Sequence, residues 1–468
     1  MNGIITQRHS SVPPALRDAT GDDVGGNPQK SPAKGSLKIL LISTLYHPNI
    51  IGGAERSTQF LAESLVQRGH DVIVVTLAPD GESTQVVNGV RVHYVTERNL
   101  YWPFAEGVPH PAKNVLWHAI DTYNPFMAQA VGRILDRERP DVVNTHNIAG
   151  FSVAVWRATK TRGLPLVHTM RDQYLLCIRT TMFKNGSDCK KQCSTCRMYA
   201  WPRMWLTHSV DAVIGVSRFI IDKHLHHGCF RTALRHMIYN AYERPADALR
   251  LAPAGEHLGP LRIGYLGRLH PSKGVDQLIH AFGKLWTDEA ELWIAGSGKP
   301  QDEAALKALA GEQRKVRWMG FVKPESVLGK LDVLVVPSLW HDTAPRVVLE
   351  AFAFGVPVIG SNRGGIPELV TDETGWIFDP AKPESLETLL RHCLQDRKRL
   401  AAMGASALAR SRYFTSESCV GGYLKIYEAV LDDVGAVMGS PLRATAQCER
   451  SRDSIAKAGD RPTRRENL

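Results

Sequence analysis

Twice along the chain the same succession recurs: a short apolar run, a loop bearing glycine, a helix, and another apolar run. The run Leu37–Ser43 leads into a loop at Thr44–Gly53, then a helix from about Ala54 to Arg68 that Gly69 ends, then the run Asp71–Leu77. Runs this short and this apolar read as strands buried on both faces, and a helix between two of them makes a parallel crossover unit. Val90–Val95, Val142–Thr145, Leu166–Thr169 and Ala212–Val216 extend the sheet, and Met237–Asn240 reads as its last strand. The segment Asn99–Glu138 is irregular and rich in aromatic residues, among them Tyr101, Trp102, Phe104, Trp117, Tyr123 and Phe126. Beyond a Pro/Ala/Gly-rich stretch the alternation restarts with Leu261–Leu266, Leu292–Ala295, Val316–Met319 and Leu331–Val336 as strands. The expected class is α/β, with two domains of alternating strand and helix.

The boundaries follow from composition. Residues 1–35 read as a disordered leader, 36–244 as the first domain, 245–260 as a linker and 261–412 as the second domain. Residues 413–434 form a terminal helix, and 435–468 read as a disordered basic tail.

One stretch, Leu339–Leu369, carries an anomaly. A helix entered through Thr343 and Pro345 is apolar nearly all round (Val347, Val348, Leu349, Ala351, Phe352, Ala353, Phe354), which implies burial, yet Glu350 sits in its middle. A buried carboxylate requires partners or a ligand. Asp342 lies ahead of the helix, where helix capping is the alternative role. Gly355 and Pro357 stop the helix, Val356–Ile359 is a further strand, and Gly364-Gly365 precede another helix start.

Asp342, seven intervening residues and Glu350, followed by Pro357-Val358-Ile359, Gly364-Gly365 and Glu368, resemble the E-x7-E region of retaining glycosyltransferases of family 4, with Asp at the first acidic position. The resemblance covers roughly residues 37 to 430. It implies the GT-B architecture, two Rossmann-like domains facing each other across a cleft, with the terminal helix crossing back onto the first domain. It also implies a nucleotide-sugar donor, a saccharide or lipid-linked acceptor, and a setting in polysaccharide or glycoconjugate synthesis. Glu350 then accepts hydrogen bonds from the ribose, while Asp342 with the backbone at Thr343 and Ala344 positions the transferred sugar. The alternatives are a non-catalytic nucleotide-sugar-binding protein, or a GT-B epimerase or phosphorylase.

Arg268 and Lys273, five residues apart around a Gly/Pro/Ser turn after the strand Leu261–Leu266, suit a diphosphate. Fixed cations stabilise the charge that a departing nucleoside diphosphate gathers, so no divalent metal is expected to be required. Gly296 opens a loop that allows close backbone approach, though it lacks the third glycine of a dinucleotide fingerprint and the Ser/Thr of a P-loop. By the resemblance, Phe321 and Val322 line the base pocket. Gly52-Gly53 open a helix after the first strand, where backbone amides suit an anion. His146 follows the strand Val142–Thr145, either as an acceptor contact or as an ordinary loop histidine. In the run His168-Thr169-Met170-Arg171-Asp172, Arg171 stands where the family often has a histidine that touches the donor sugar.

Cys177, Cys189, Cys193 and Cys196 fall within twenty residues. They suit either a structural zinc site with all four positions filled by protein, or reduced, unligated thiols. The eight cysteines of a chain this long do not read as a disulfide framework. No apolar run approaches the roughly 18 residues of a membrane span, and the N-terminus lacks the apolar core of a signal peptide. A cytoplasmic chain is expected, with peripheral contact at the inner membrane face as an option through the Tyr101–Phe126 segment, which otherwise forms ordinary core. The net charge of +10 includes seven Lys/Arg against four Asp/Glu from Ser440 onward. The remainder suits anionic substrates or lipids, and no interleaved basic–aromatic motif points to nucleic acid.

Overall fold

A computed structural model describes residues 35–437, apart from 80, 106, 108–109, 247, 249–258 and 313–314. The leader, the tail beyond 437 and most of the linker lie outside the described residues.

The first domain is one eight-stranded sheet. Its strands are β1 Lys38–Ser43, β2 Asp71–Ala78, β3 Ser83–Val87, β4 Val90–Thr96, β5 Val142–Thr145, β6 Leu166–Met170, β9 Ala212–Gly215 and β10 Leu234–Met237. A small hairpin, β7 Phe183–Lys184 with β8 Ser187–Asp188, stands apart from it. The order is β10-β9-β6-β5-β1-β2-β4-β3, parallel except for the β3–β4 pair. That antiparallel pair turns at Asn88-Gly89, both with positive φ, the pattern of a type I′ hairpin. The helices are α1 Gly53–Gln67, α2 Pro111–Thr122, α3 Pro125–Glu138, α4 Ala154–Lys160, α5 Ser194–Trp205 and α6 Arg218–His226.

The segment expected to be irregular is therefore two helices. Pro111 and Pro125 sit at helix starts, and Asn124 accepts from the N–H groups of Phe126 and Met127. The last strand ends at Met237, so Asn240 falls in the cleft-side loop beyond it.

The second domain holds β11 Leu261–Leu266, β12 Ala290–Ala295, β13 Val316–Gly320, β14 Val333–Val336, β15 Val358–Ser361 and β16 Gly375–Phe378. Its order, β13-β12-β11-β14-β15-β16, is parallel throughout and is the doubly wound Rossmann order. Helices α7 Val275–Gly283, α8 Pro300–Ala310, α9 Pro324–Leu328, α10 Arg346–Ala353, α11 Ile366–Leu369, α12 Pro383–Gln395 and α13 Arg397–Ser411 cover it.

The last helix, α14 Ser416–Val437, belongs to the other domain's core. Val420, Tyr423, Ile426, Tyr427 and Val430 pack with Ile39, Leu41, Val72 and Val142. Asn144 Nδ2 donates to Tyr427 Oη at 2.7 Å. In open α/β sheets the ligand crevice lies beyond the strand C-termini where strand order reverses. Here those points are β1/β5 and β11/β14, and the loops that follow them meet in one cleft.

Candidate functional site

The cleft between the domains has a volume of about 930 Å³ and is lined by seven Arg/Lys side chains against four Asp/Glu. Two ion pairs organise the second-domain wall. Lys273 Nζ lies 2.6 Å from Asp342 Oδ2 and 5.0 Å above the Trp340 ring. Arg346 Nε donates to Glu350 Oε1 at 2.9 Å, one helical turn apart on α10. Burial pushes the Glu350 carboxyl above its ordinary range, opposed by the guanidinium groups of Arg346 and Arg56.

Backbone packing explains the glycines. Gly274 has φ +67°, and a Cβ there would lie 2.0 Å from the Pro337 carbonyl oxygen. It lets the turn carrying Lys273 nest on the end of β14, which is how that lysine reaches Asp342. Gly364 and Gly365 do the same for Asp342 itself. A Cβ on either would strike the carbonyl oxygen of Asp342 (1.9 Å) or Thr343 (2.1 Å), and Gly365 N–H donates to Asp342 O at 2.8 Å.

Arg268 follows β11 and reaches across the cleft, where its Nη2 lies 3.4 Å from Ile51 O. Gly52 and Gly53 stand opposite, with the Gly52 N–H held by Glu55 at 2.7 Å. Gly53 is close enough to α10 that a Cβ on it would lie 3.5 Å from Arg346 Cβ. Gly296, Phe321, Val322, Thr343 and Ala344 all line the same cleft, and Phe321 projects into it largely exposed. The cleft thus gathers Asp342, Glu350, Arg268, Lys273, both first-domain glycines and these residues in one place.

Arg171 also lines the cleft, but its ring of partners is neutral. Its Nε donates to His146 Nδ1 at 3.1 Å and its Nη1 to Asn240 Oδ1, while Thr343 Oγ1 donates to the Arg171 carbonyl. Among the described residues it forms no ion pair, although the side chain is buried. Holding a buried cation with neutral partners alone is costly.

His146, read as either an acceptor contact or an ordinary loop histidine, is not among the cleft-lining residues. It is buried behind Arg171, and burial followed by the Arg171 charge drives its pKa well below the ordinary value. A neutral ring that orients Arg171 is what this position provides. His168 is likewise buried, between Trp156 and Phe230, and cannot stand in for the missing family histidine.

The four cysteines share a loop, where Cys189 faces Cys177 and Cys193, and Cys196 interacts with both of these as well. Cys196 Sγ lies 3.6 Å from Cys177 Sγ, while Cys193 caps α5, its sulfur accepting from the Cys196 N–H. Among the described residues no three or more His, Cys, Asp or Glu side chains are placed to hold a metal ion.

Several contributors were not singled out from sequence. Arg346 was legible, four residues before Glu350 on one helix face. Arg56, Asp172, Arg179, Lys184 and Asn240 reach the cleft from loops and helix ends with no local signal. Buried polar atoms of the cleft's lining residues lack partners as well, among them Arg346 Nη1 and Trp340 Nε1. Such orphans are the mark of a site that a ligand or water completes.

Residues 252–410 match the family model for group 1 glycosyl transferases, and residues 51–243 the model for glycosyltransferase family 4. An uncharacterized protein of the cps region of Klebsiella pneumoniae is 35% identical over 335 residues, spanning 71% of this chain and 87% of that protein. A GDP-mannose-dependent alpha-mannosyltransferase of Mycolicibacterium smegmatis is 25% identical over 418 residues, 84% of this chain and 98% of its own. Among solved structures, sucrose-phosphate synthase from Thermosynechococcus elongatus superposes with a TM-score of 0.67 at 20% identity, covering 84% of this chain and 99% of that one. The Anabaena protein HepE, solved with UDP and glucose, gives 0.62 at 20% identity, with coverage of 84% and 99%. Both structural likenesses concern the fold, which is GT-B.

Proposed function

This chain belongs to glycosyltransferase family 4, and on that premise we propose that it moves a sugar from a nucleoside diphosphate donor to a saccharide or lipid-linked hydroxyl acceptor with retention at the anomeric carbon. The observation that carries the reading is the convergence of Arg268 and Lys273 on the cleft face that also presents Asp342 and Glu350.

In this reading the two cations hold the diphosphate and take up the charge it gains on leaving, which makes a divalent metal dispensable. The Gly52-Gly53 loop offers backbone amides from the facing domain. Glu350, held by Arg346, accepts from the ribose hydroxyls, and Phe321 stacks on the base. Asp342 and the backbone at Thr343 and Ala344 orient the sugar, and Arg171 takes an anionic or hydroxyl oxygen of the donor. The acceptor oxygen bonds to the anomeric carbon on the face the diphosphate leaves. The bond from that carbon to the phosphate oxygen breaks, and the acceptor proton passes to the departing phosphate. No protein nucleophile enters. The K. pneumoniae relative, named for a cps region, supports a role in polysaccharide synthesis. No helix among the described residues is long and apolar enough to cross a membrane, and we place the chain in the cytoplasm, where nucleotide sugars are available.

The test is incubation with a panel of nucleotide sugars and acceptors in the presence of EDTA, with NMR of the product's anomeric proton. Transfer with the donor's configuration kept supports the proposal. Inverted product, or turnover that EDTA abolishes, contradicts it.

A further inference from the structure

The surface beside the cleft carries a stripe that nothing in the transfer chemistry uses. On α5, Met198, Trp201 and Trp205 recur at helical spacing and are 63%, 69% and 63% exposed, while Cys196, Tyr199, Ala200 and Arg203 face inward. Placing two tryptophans in water is costly, and single exposed apolar residues do not account for a helical row of them.

The neighbouring helix continues the surface. Tyr199 Oη donates to Val115 O at 3.2 Å, so α2 and α5 lie side by side, and Val115 and Leu116 on α2 are 58% and 52% exposed. Among the described residues, the exposed charged side chains of α2, α5 and the Lys190-Lys191 turn before α5 are all cations. Lys113, Lys190, Lys191 and Arg197 are exposed, and none forms an ion pair among the described residues. Helix α5 carries no Asp or Glu, and the one acid of α2, Asp121, is buried against Arg203 at 3.0 Å.

We propose that the α2–α5 face docks on an anionic phospholipid bilayer, Trp201 and Trp205 entering the headgroup–acyl boundary and the four cations meeting lipid phosphates. Tryptophan and methionine with basic flanks and no facing acid is the composition of an interfacial helix. A second copy of the chain fits less well, because a two-fold contact through this face sets its cations against the same cations. Helix α5 follows directly on the hairpin whose Phe183 and Lys184 line the cleft. Docking therefore brings the cleft's acceptor side to the lipid surface, which deepens the lipid-linked branch of the proposed function.

The experiment is co-sedimentation of the full chain with phosphatidylcholine vesicles, plain or with about one-third phosphatidylglycerol, comparing wild type, Trp201→Ser/Trp205→Ser and Lys190→Gln/Lys191→Gln. Wild type is expected to sediment with the anionic vesicles and far less with the neutral ones. The tryptophan pair lowers partitioning by about tenfold or more, and the lysine pair by about fivefold per residue, erased by high salt. Thermal stabilisation by nucleoside diphosphates is expected unchanged in both variants, which shows that they fold. Equal binding to both vesicle types, no binding by wild type, or full binding by the tryptophan variant overturns the proposal. So does a wild-type dimer in solution that the tryptophan variant converts to monomer, since the face then belongs to a second copy. Transfer to a water-soluble acceptor tests the glycosyl-transfer reading separately, and loss of vesicle binding leaves it standing.

Discussion

Lys273 and Asp342 meet at 2.6 Å, so one of the cations assigned to the diphosphate is already half satisfied by the acid assigned to the sugar. The pair sets up an exchange: when the donor enters, Lys273 can shift its charge to phosphate while Asp342 turns to sugar hydroxyls. Asp342→Asn is therefore expected to tighten nucleoside diphosphate binding several-fold, since the lysine loses its competitor, and to lower transfer by tenfold or more. Calorimetric titration together with steady-state rates checks this. Weaker nucleotide binding in the variant contradicts the exchange.

Arg171 is a buried cation with neutral neighbours and no ion pair among the described residues. If its counter-charge is the donor, Arg171→Gln lowers affinity for the nucleotide sugar by about tenfold or more and costs little fold stability. Thermal melts with and without donor separate the two effects. A variant less stable without donor, with unchanged donor affinity, makes Arg171 a structural residue.

The two domains are also clasped away from the chemistry. Glu368, on α11, accepts the N–H groups of Arg218 and Phe219 at 2.8 and 2.7 Å and so caps α6 of the other domain. A carboxylate at a helix N-terminus is favourable by about 1 kcal/mol. Glu368→Gln is expected to leave each domain folded and to raise KM for the donor more than it changes kcat, as closure becomes harder. Small-angle scattering should show a more open average shape. An unchanged KM and unchanged scattering would remove Glu368 from closure.

Glu97 gives a pH dependence with a definite sign. Both its carboxylate oxygens are buried, and burial, then the Asp121 charge, pushes its pKa up to about 8 against a weaker pull from the Trp117 N–H, which donates to Tyr101 O. The native state then holds a proton that the unfolded state releases above its ordinary value near 4.5. Between those two values stability falls as pH rises, by about 1.4 kcal/mol per pH unit for one such group. Glu97→Gln is expected to stabilise the protein at pH 8 and to change little at pH 4.5. Urea titrations at the two pH values measure it, and an equal effect at both contradicts the assignment.

The parts of this molecule that sequence revealed are those with a local signature. The strands of both sheets are short apolar runs, and Glu350 stood out because the helix around it is otherwise apolar. Gly364-Gly365 read only as a turn before a helix start, because the Asp342 and Thr343 carbonyls that they approach lie some twenty residues away. The helices α2 and α3 do not show in the sequence because α2 turns Val115 and Leu116 outward and α3 turns Phe126 outward, which blurs the helical apolar period. The outward turn of α2 supplies part of the face proposed above to dock on lipid. The Glu368 clasp on Arg218 joins residues 150 apart and leaves no trace at either end. His146 follows the strand Val142–Thr145 and so read as near the cleft, but Arg171 stands between it and the cleft.

The most direct test of the central claim is a thermal-shift panel of nucleoside diphosphates on wild type and Arg268→Ala. Arg268 is exposed and its contact to Ile51 O is long, so the substitution should leave the fold intact. A ligand that binds only the native state raises the melting temperature by mass action. The account predicts a rise with at least one nucleoside diphosphate in wild type, without added metal, and its loss or strong reduction in Arg268→Ala at an unchanged ligand-free melting point. No rise with any of them, or a rise that the variant fully keeps, contradicts the diphosphate cradle on which the whole reading rests.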